Sequence, residues 1–215
     1  AGYSSDTNDG NTFIGYLAGY EADASTVVAG QNTYIGAFAG RFLDDGSDNV
    51  AIGYDAMASN SDGAANAVRY SIAIGRAAMA SSYSNQGTIA IGYYAGDHAS
   101  ADVDNAVIIG REAARGAMTS GADGTVAIGY QAGLAITSGQ ESVLIGQQAG
   151  QTLTTGDANT AVGTYALYHN VTGNYNTAIG RGAGARFLAD KSTALGYYAG
   201  HYASGSNNTF VGSDA

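Results

Sequence analysis

The chain of 215 residues carries 18 Asp and Glu against 8 Lys and Arg, a net charge of −10, and has 33 Gly with no Pro, Cys or Trp. Without Cys there are no disulfide scaffolds, thiolate zinc sites or cysteine nucleophiles, and the acidic balance argues against a phosphate-binding surface for nucleic acid or anionic lipid. No apolar run approaches the ~20 residues of a membrane helix and the glycines do not recur every third residue, so a Gly-rich chain with 45% hydrophobic residues points to a β-repeat protein.

The first predicted element, Thr12-Phe13-Ile14, runs into Gly15 and then Ala18-Gly19. The phrase returns as Thr33-Tyr34-Ile35 with Gly36 and Ala39, as Val126-Ala127-Ile128 with Gly129 and Ala132, and as Thr177-Ala178-Ile179 with Gly180 and Ala183. Its Gly falls at 15, 36, 53, 75, 92, 110, 129, 146, 163, 180, 196 and 212, twelve copies spaced 16 to 22 residues apart. Counting from that Gly, position −1 is Ile, Val or Leu and position −3 is Thr, Val or Ile in every copy. Position +3 is always Ala, −4 is Asn, Ser or Thr except at Ala106, and +4 is Gly in seven of the eleven copies that reach it.

Alternating β-branched residues at −3 and −1 place two stiff apolar side chains on one face of a strand, expected to be the core-facing one. The short polar residue at −4 can hydrogen-bond the backbone locally and start the strand from a turn. The anchor Gly permits a positive φ or the close approach of a neighbouring backbone, and Ala-Gly at +3 and +4 reads as a tight corner. After the corner come short apolar stretches, Phe42-Leu43, Ile136, Leu153, Val171 and Phe187-Leu188, and polar turns such as Thr137-Ser138-Gly139. Each repeat is therefore expected to be strand, corner, shorter strand and turn, with the longest spacings bulging as loops over 21–31 and 59–70. Twelve coils at ~4.8 Å each make a rod about 50 Å long. A left-handed triangular β-helix would need aliphatics six and twelve residues after each anchor aliphatic; after Ile145 those positions hold Gln151 and Asp157, so the two-strand roll is favoured.

With these residues laid out, the chain resembles the head repeats of trimeric autotransporter adhesins, in Asn49-Val-Ala-Ile-Gly53, Ser71-Ile-Ala-Ile-Gly75 and Thr125-Val-Ala-Ile-Gly129. It is more similar still to the repeats of phage tail fibres, in Thr172-Gly-Asn-Tyr-Asn-Thr-Ala-Ile-Gly-Arg-Gly-Ala-Gly184. The resemblance implies an all-β, left-handed parallel β-roll, assembled as a homotrimer and serving as an extracellular attachment fibre. Two departures stand out: the coils are longer than the adhesin repeat, and position −2, usually Ala, is Phe13, Tyr34, Ile108, Leu144 or Phe210 in five copies. If −2 faced the three-fold axis, those coils would have to spread. Ala1-Gly2 and Ala215 fall inside the repeat phase, so residues 1–215 are expected to be one solenoid segment of a longer fibre, open at both ends and able to continue end to end.

Candidate chemistry is sparse. His98, His169 and His201 fall five or six residues past their anchors; a catalytic base or an axial metal site is weighed against polar loop residues, and no His-x-His or His-x-x-x-His spacing favours metal. The acidic stretches Asp44-Asp45-Gly46-Ser47-Asp48 and Asp102-Val103-Asp104 could gather oxygens around Ca²⁺, yet fit no twelve-residue loop, and read as solvated turns. Glycosidase chemistry needs a positioned carboxylate pair, and only Glu21, Glu112 and Glu141 stand beside scattered Asp. At +1, Tyr16, Tyr54, Tyr93, Tyr130 and Tyr197 could form a stacked ladder or offer flat faces to sugars. Threonines at −3 suggest an ice-binding array only if that side is exposed. The expectation is a non-enzymatic fibre segment with no cofactor and no metal, partnered by itself and by a host-surface receptor or glycan bound through loops, with neither nucleic-acid binding nor membrane insertion. A purely structural extracellular filament without a receptor is the alternative.

Overall fold

A computed structural model describes residues 10–20, 30–43, 46–59, 67–81, 84–97, 103–186 and 190–215. His98, Asp44, Asp45, Asp102, Glu21, the Phe187-Leu188 stretch and most of the two long loops lie outside the described residues. Every repeat contributes one three-residue strand: β1 (Thr12–Ile14), β2 (Thr33–Ile35), β3 (Val50–Ile52), β4 (Ile72–Ile74), β5 (Ile89–Ile91), β6 (Val107–Ile109), β7 (Val126–Ile128), β8 (Val143–Ile145), β9 (Thr160–Val162), β10 (Thr177–Ile179), β11 (Thr193–Leu195) and β12 (Thr209–Val211). They pair in chain order into a single parallel twelve-stranded sheet. The register is unbroken: Ile128 stands beside Ile145 as Val126 stands beside Val143, and the same holds for the other pairs. The chain is a β-solenoid.

The second strand expected in each coil is not formed among the described residues, where the return side carries only the isolated bridges Ser47–Arg69–Gln86 and one 3₁₀ turn, Ser120–Ala122. Coil-to-coil backbone hydrogen bonds still run there, as from Thr137 N–H to Thr154 O (2.9 Å) and from Thr154 N–H to Val171 O (2.8 Å). Left-handed residues interrupt the extended geometry instead. Position +2 has positive φ in every coil, from Leu17 at 51° to Asp214 at 53°, and so does −5 throughout. Gly129 shows why the anchor is Gly: its φ is 133°, and a Cβ there would come within 2.5 Å of the carbonyl oxygen of Gly146 in the next coil. Positive φ and close approach are required together.

The burial pattern reverses the expected facing of the strands. In β2–β11 the middle residue at −2 is the buried one, while −3 and −1 point outward and are half-buried or exposed. The interior is thin: a column of Ala at −2 (Ala51, Ala73, Ala90, Ala127, Ala161, Ala178, Ala194) accompanies the column of Ala at +3 from Ala18 to Ala199, all fully buried. The large residues at −2 therefore lie inside the roll and need no spreading at an external axis.

They are accommodated by position +4. A Cβ on Gly19 would strike the ring of Phe13, one on Gly40 that of Tyr34, and ones on Gly133 and Gly150 the side chain of Leu144 at 2.8 Å. Where −2 is Ala, as at Ala51, Ala73 and Ala161, position +4 can be large, and Met57, Met79 and Leu167 fill the space. Leu43, Ile136 and Leu153 complete the core from the return side, whereas Val171 is exposed.

Position −4 acts both locally, as where Ser71 Oγ donates to Arg69 O (2.9 Å) and Asn208 Nδ2 to Gly205 O (2.7 Å), and between coils. Asn32 Oδ1 accepts from Asn49 N–H (3.0 Å), Asn49 Oδ1 from Ser71 N–H (3.0 Å) and Ser71 Oγ from Thr88 N–H (3.2 Å). Ala106 N–H donates to Thr88 Oγ1 (3.4 Å) but has no side chain to pass the chain on. The ladder resumes from Ser142 to Asn159, Asn176, Ser192 and Asn208. Asn159 also donates through Nδ2 to Gly173 O (2.8 Å), so its buried amide is used at both ends.

Candidate functional site

Two surfaces carry most of what the fold displays. The first is the outward face of the sheet. Because −3 and −1 alternate with the buried −2, twelve aliphatics from Ile14 to Val211 form one column and Thr, Val or Ile the other. Eleven coil spacings of ~4.8 Å and a strand width of ~10 Å give a strip on the order of 500 Å². Ile14 and Val211 at its two ends are 57% and 67% exposed. A strip of that size lies within the range of the largest patches that monomeric proteins expose. Thr lies on this outward side rather than against the core, contrary to the expected facing. The hydroxyls form two separate blocks, Thr12 and Thr33 and then Thr160, Thr177, Thr193 and Thr209, with Val or Ile in the six central coils.

The second surface is the corner after the anchor Gly. Tyr16, Tyr54, Tyr93, Tyr130 and Tyr197 all reach solvent there. They do not cover one another directly as a simple tyrosine ladder would. Phe38 stands edge-on between Tyr16 (5.4 Å) and Tyr54 (5.6 Å). Beyond it the guanidinium of Arg76 lies between the rings of Tyr54 (5.7 Å) and Tyr93 (5.8 Å), and that of Arg111 between Tyr93 (5.9 Å) and Tyr130 (5.6 Å). The column thus alternates ring and cation, and each contact stabilises an exposed pair by about 0.5–1 kcal/mol.

Position +2 continues the corner as a polar ladder. Gln131 Nε2 donates to Glu112 Oε2 (2.8 Å), and Gln148 Nε2 donates to Gln131 Oε1 (3.0 Å). The Gln131 hydrogen bond, with Arg111 and Arg115 nearby, holds the Glu112 carboxyl below its ordinary value against the opposing effect of burial.

Arg41, Arg76, Arg111, Arg115, Arg181 and Arg186 lie on the corner side, at +1 to +6, together with Asp55, Asp97 and Glu112, whereas position −6 holds Arg69 and Asp104, Asp123, Asp157 and Asp190. Those aspartates are structural: Asp104 Oδ1 accepts from Gln86 N–H (2.8 Å), Asp123 Oδ1 from Asp104 N–H (2.9 Å) and Asp157 Oδ1 from Gln140 N–H (3.1 Å). Among the described residues no three His, Asp or Glu gather as metal ligands do. His169 and His201 are flanked by tyrosine rings at 4.4–4.8 Å. The sequence reading missed Arg76 and Arg111 as partners of the tyrosines, although their recurrence at +1 between tyrosine-bearing coils is visible in the repeat.

Among the described residues no helix is long and apolar enough to cross a membrane. Compared with protein-family models, with curated proteins and with solved structures, the chain matches none.

Proposed function

We propose that this chain is a non-enzymatic segment of an extracellular attachment fibre, of the kind its repeats resemble in phage tail fibres and adhesin heads, wound as a left-handed roll. Its outward sheet face is buried against further copies of itself in a homotrimer. The observation that carries the reading is the strip of outward Ile, Val and Leu at −1, in register over twelve coils. Water-exposed columns of that length are costly unless covered, and identical repeats present identical faces to one another. The stoichiometry of three comes from the resemblance.

Within such a fibre the thin Ala-filled coil is a stiff spacer. Three copies of the Tyr–Arg corner let weak contacts to a host receptor or glycan sum through effective concentration. The acidic, Lys-poor surface limits non-specific adhesion. An ice surface fits the same face less well, because the −1 column carries no hydroxyl and the central coils carry none at −3.

Sedimentation at micromolar concentration tests the assembly: the expected species is three times the 21.5 kDa chain, and a stable monomer overturns it. Binding of the trimer to arrayed glycans separates an attachment segment from a purely structural filament.

A further inference from the structure

On the corner side one coil with only small residues at +2 and +5 stands between two coils with aromatic residues there, and the gap makes a cleft. Coil nine carries Tyr165 at +2, Tyr168 at +5 and His169 at +6, and coil eleven carries Tyr198 at +2 and His201 at +5. Coil ten, between them, has Gly182 and Ala185 at +2 and +5. Two aromatic walls therefore rise from coils whose backbones are ~9.6 Å apart, over a floor of Ala185. The cavity between them is about 310 Å³, near the lower limit for small-molecule sites and suited to one saturated ring rather than to a long ligand.

The walls are held before any ligand arrives. Tyr165 and Tyr168 meet edge-on at 5.4 Å, Tyr168 and His169 at 4.5 Å, and Tyr198 and His201 at 4.8 Å. Nδ1 of His201 lies 3.2 Å from the Gly182 carbonyl oxygen. The Tyr198 hydroxyl accepts from Arg181 Nη1 at 2.7 Å. Tyr198 leans over Gly182, where a Cβ would overlap its ring, so the glycine is required at that point of the wall.

The electrostatics differ from the rest of the molecule. In a chain of net charge −10 none of the lining residues is acidic, while Arg186 and two histidines line the cleft. The exposed Arg186 guanidinium, held over Tyr202 at 5.4 Å, is a forked donor of the geometry that carboxylates accept.

We infer that this cleft binds a single sugar unit bearing a carboxylate, its ring between the tyrosines and its carboxylate on Arg186. The inference deepens the attachment reading and rests on it for biological meaning, but the site itself stands on its lining.

Saturation-transfer NMR with glucuronate, and with glucose as the neutral control, tests it on the whole chain. Glucuronate is expected to bind with a dissociation constant on the order of 1 mM and glucose at least about tenfold more weakly. Arg186→Gln, an exposed position, should weaken glucuronate about tenfold and leave glucose unchanged, whereas Tyr168→Ala should weaken both. Tyr54→Ala, on the separate corner column, should change neither, and melting curves show that each variant is folded. Equal binding of the two sugars, or unchanged glucuronate binding in Arg186→Gln, overturns the inference. Sedimentation of the same samples keeps the two readings apart: a trimer that ignores glucuronate removes the cleft and leaves the fibre, and a monomer that binds it does the reverse.

Discussion

At the residue scale the anchor glycines and the left-handed positions set the tolerance of the chain to change. Gly129→Ala would combine a φ of 133° with a Cβ 2.5 Å from the Gly146 oxygen. Destabilisation by about 3 kcal/mol or more is expected in urea unfolding. Ala158, at φ 50°, is the converse case. Ala158→Gly relieves the left-handed strain and should raise stability by about 0.5–1 kcal/mol, net of the greater unfolded-state entropy of glycine. Glu112 supplies a pH dependence. Its folded-state value lies below the ordinary 4.5, so its contribution is complete above that pH and is lost as pH falls through the lower folded value. Gln131→Ala removes the largest cause and should bring the Glu112 titration midpoint, read by NMR, back toward 4.5. An unchanged midpoint would assign the shift to the arginines. The need for Gly at the anchor was legible from its recurrence in every coil. The left-handed +2 position was not, because Leu17, Tyr94, Gln131 and other large residues occupy it and conceal the requirement.

At the element scale the coil is a thin sandwich of Ala at −2 and +3, and volume is balanced between −2 and +4. Leu144→Ala should cost about 2–5 kcal/mol by opening a cavity, and Gly150→Met alone should be worse, since a Cβ there meets Leu144 at 2.8 Å. Together they recreate the Ala–Met pairing of Ala51 with Met57, so the double mutant should recover at least about 1 kcal/mol relative to the sum. Additive losses would show that the two positions do not share space. The Asn ladder is tested by Asn159→Ala, which strips partners from Asn176 N–H and Gly173 O and should cost about 2–4 kcal/mol, with Asn159→Ser milder because the Ser71 and Ser192 hydroxyls accept from the next coil in the same way. Strand positions were legible in the sequence, since the −3 and −1 residues, β-branched everywhere but at Leu195, bound all twelve strands. The expected second strand was not formed because Thr, Ser, Gly and Asn on the return side stack through single backbone and side-chain hydrogen bonds without sustained pairing.

At the scale of the whole molecule the outward strip governs assembly. Ile109 and Ile128 are register partners near its middle, with side chains pointing away from the core. The Ile109→Asp, Ile128→Asp double variant should keep its β circular dichroism and sediment as a monomer, because two unpaired carboxylates in an apolar interface are strongly unfavourable. An oligomer that survives the change would place the interface elsewhere. The sequence by itself determined the period, the number of strands, their parallel stacking and the positions of the anchors, since identical short phrases at near-constant spacing can pair only with their own copies. Which way each strand faces was decided by the tertiary structure alone. Alternation places −3 and −1 on one side and −2 on the other without saying which is inside. The answer depends on the width of the interior, and a coil whose corner is Ala has room for Ala opposite it, so the larger Ile and Val columns are turned outward.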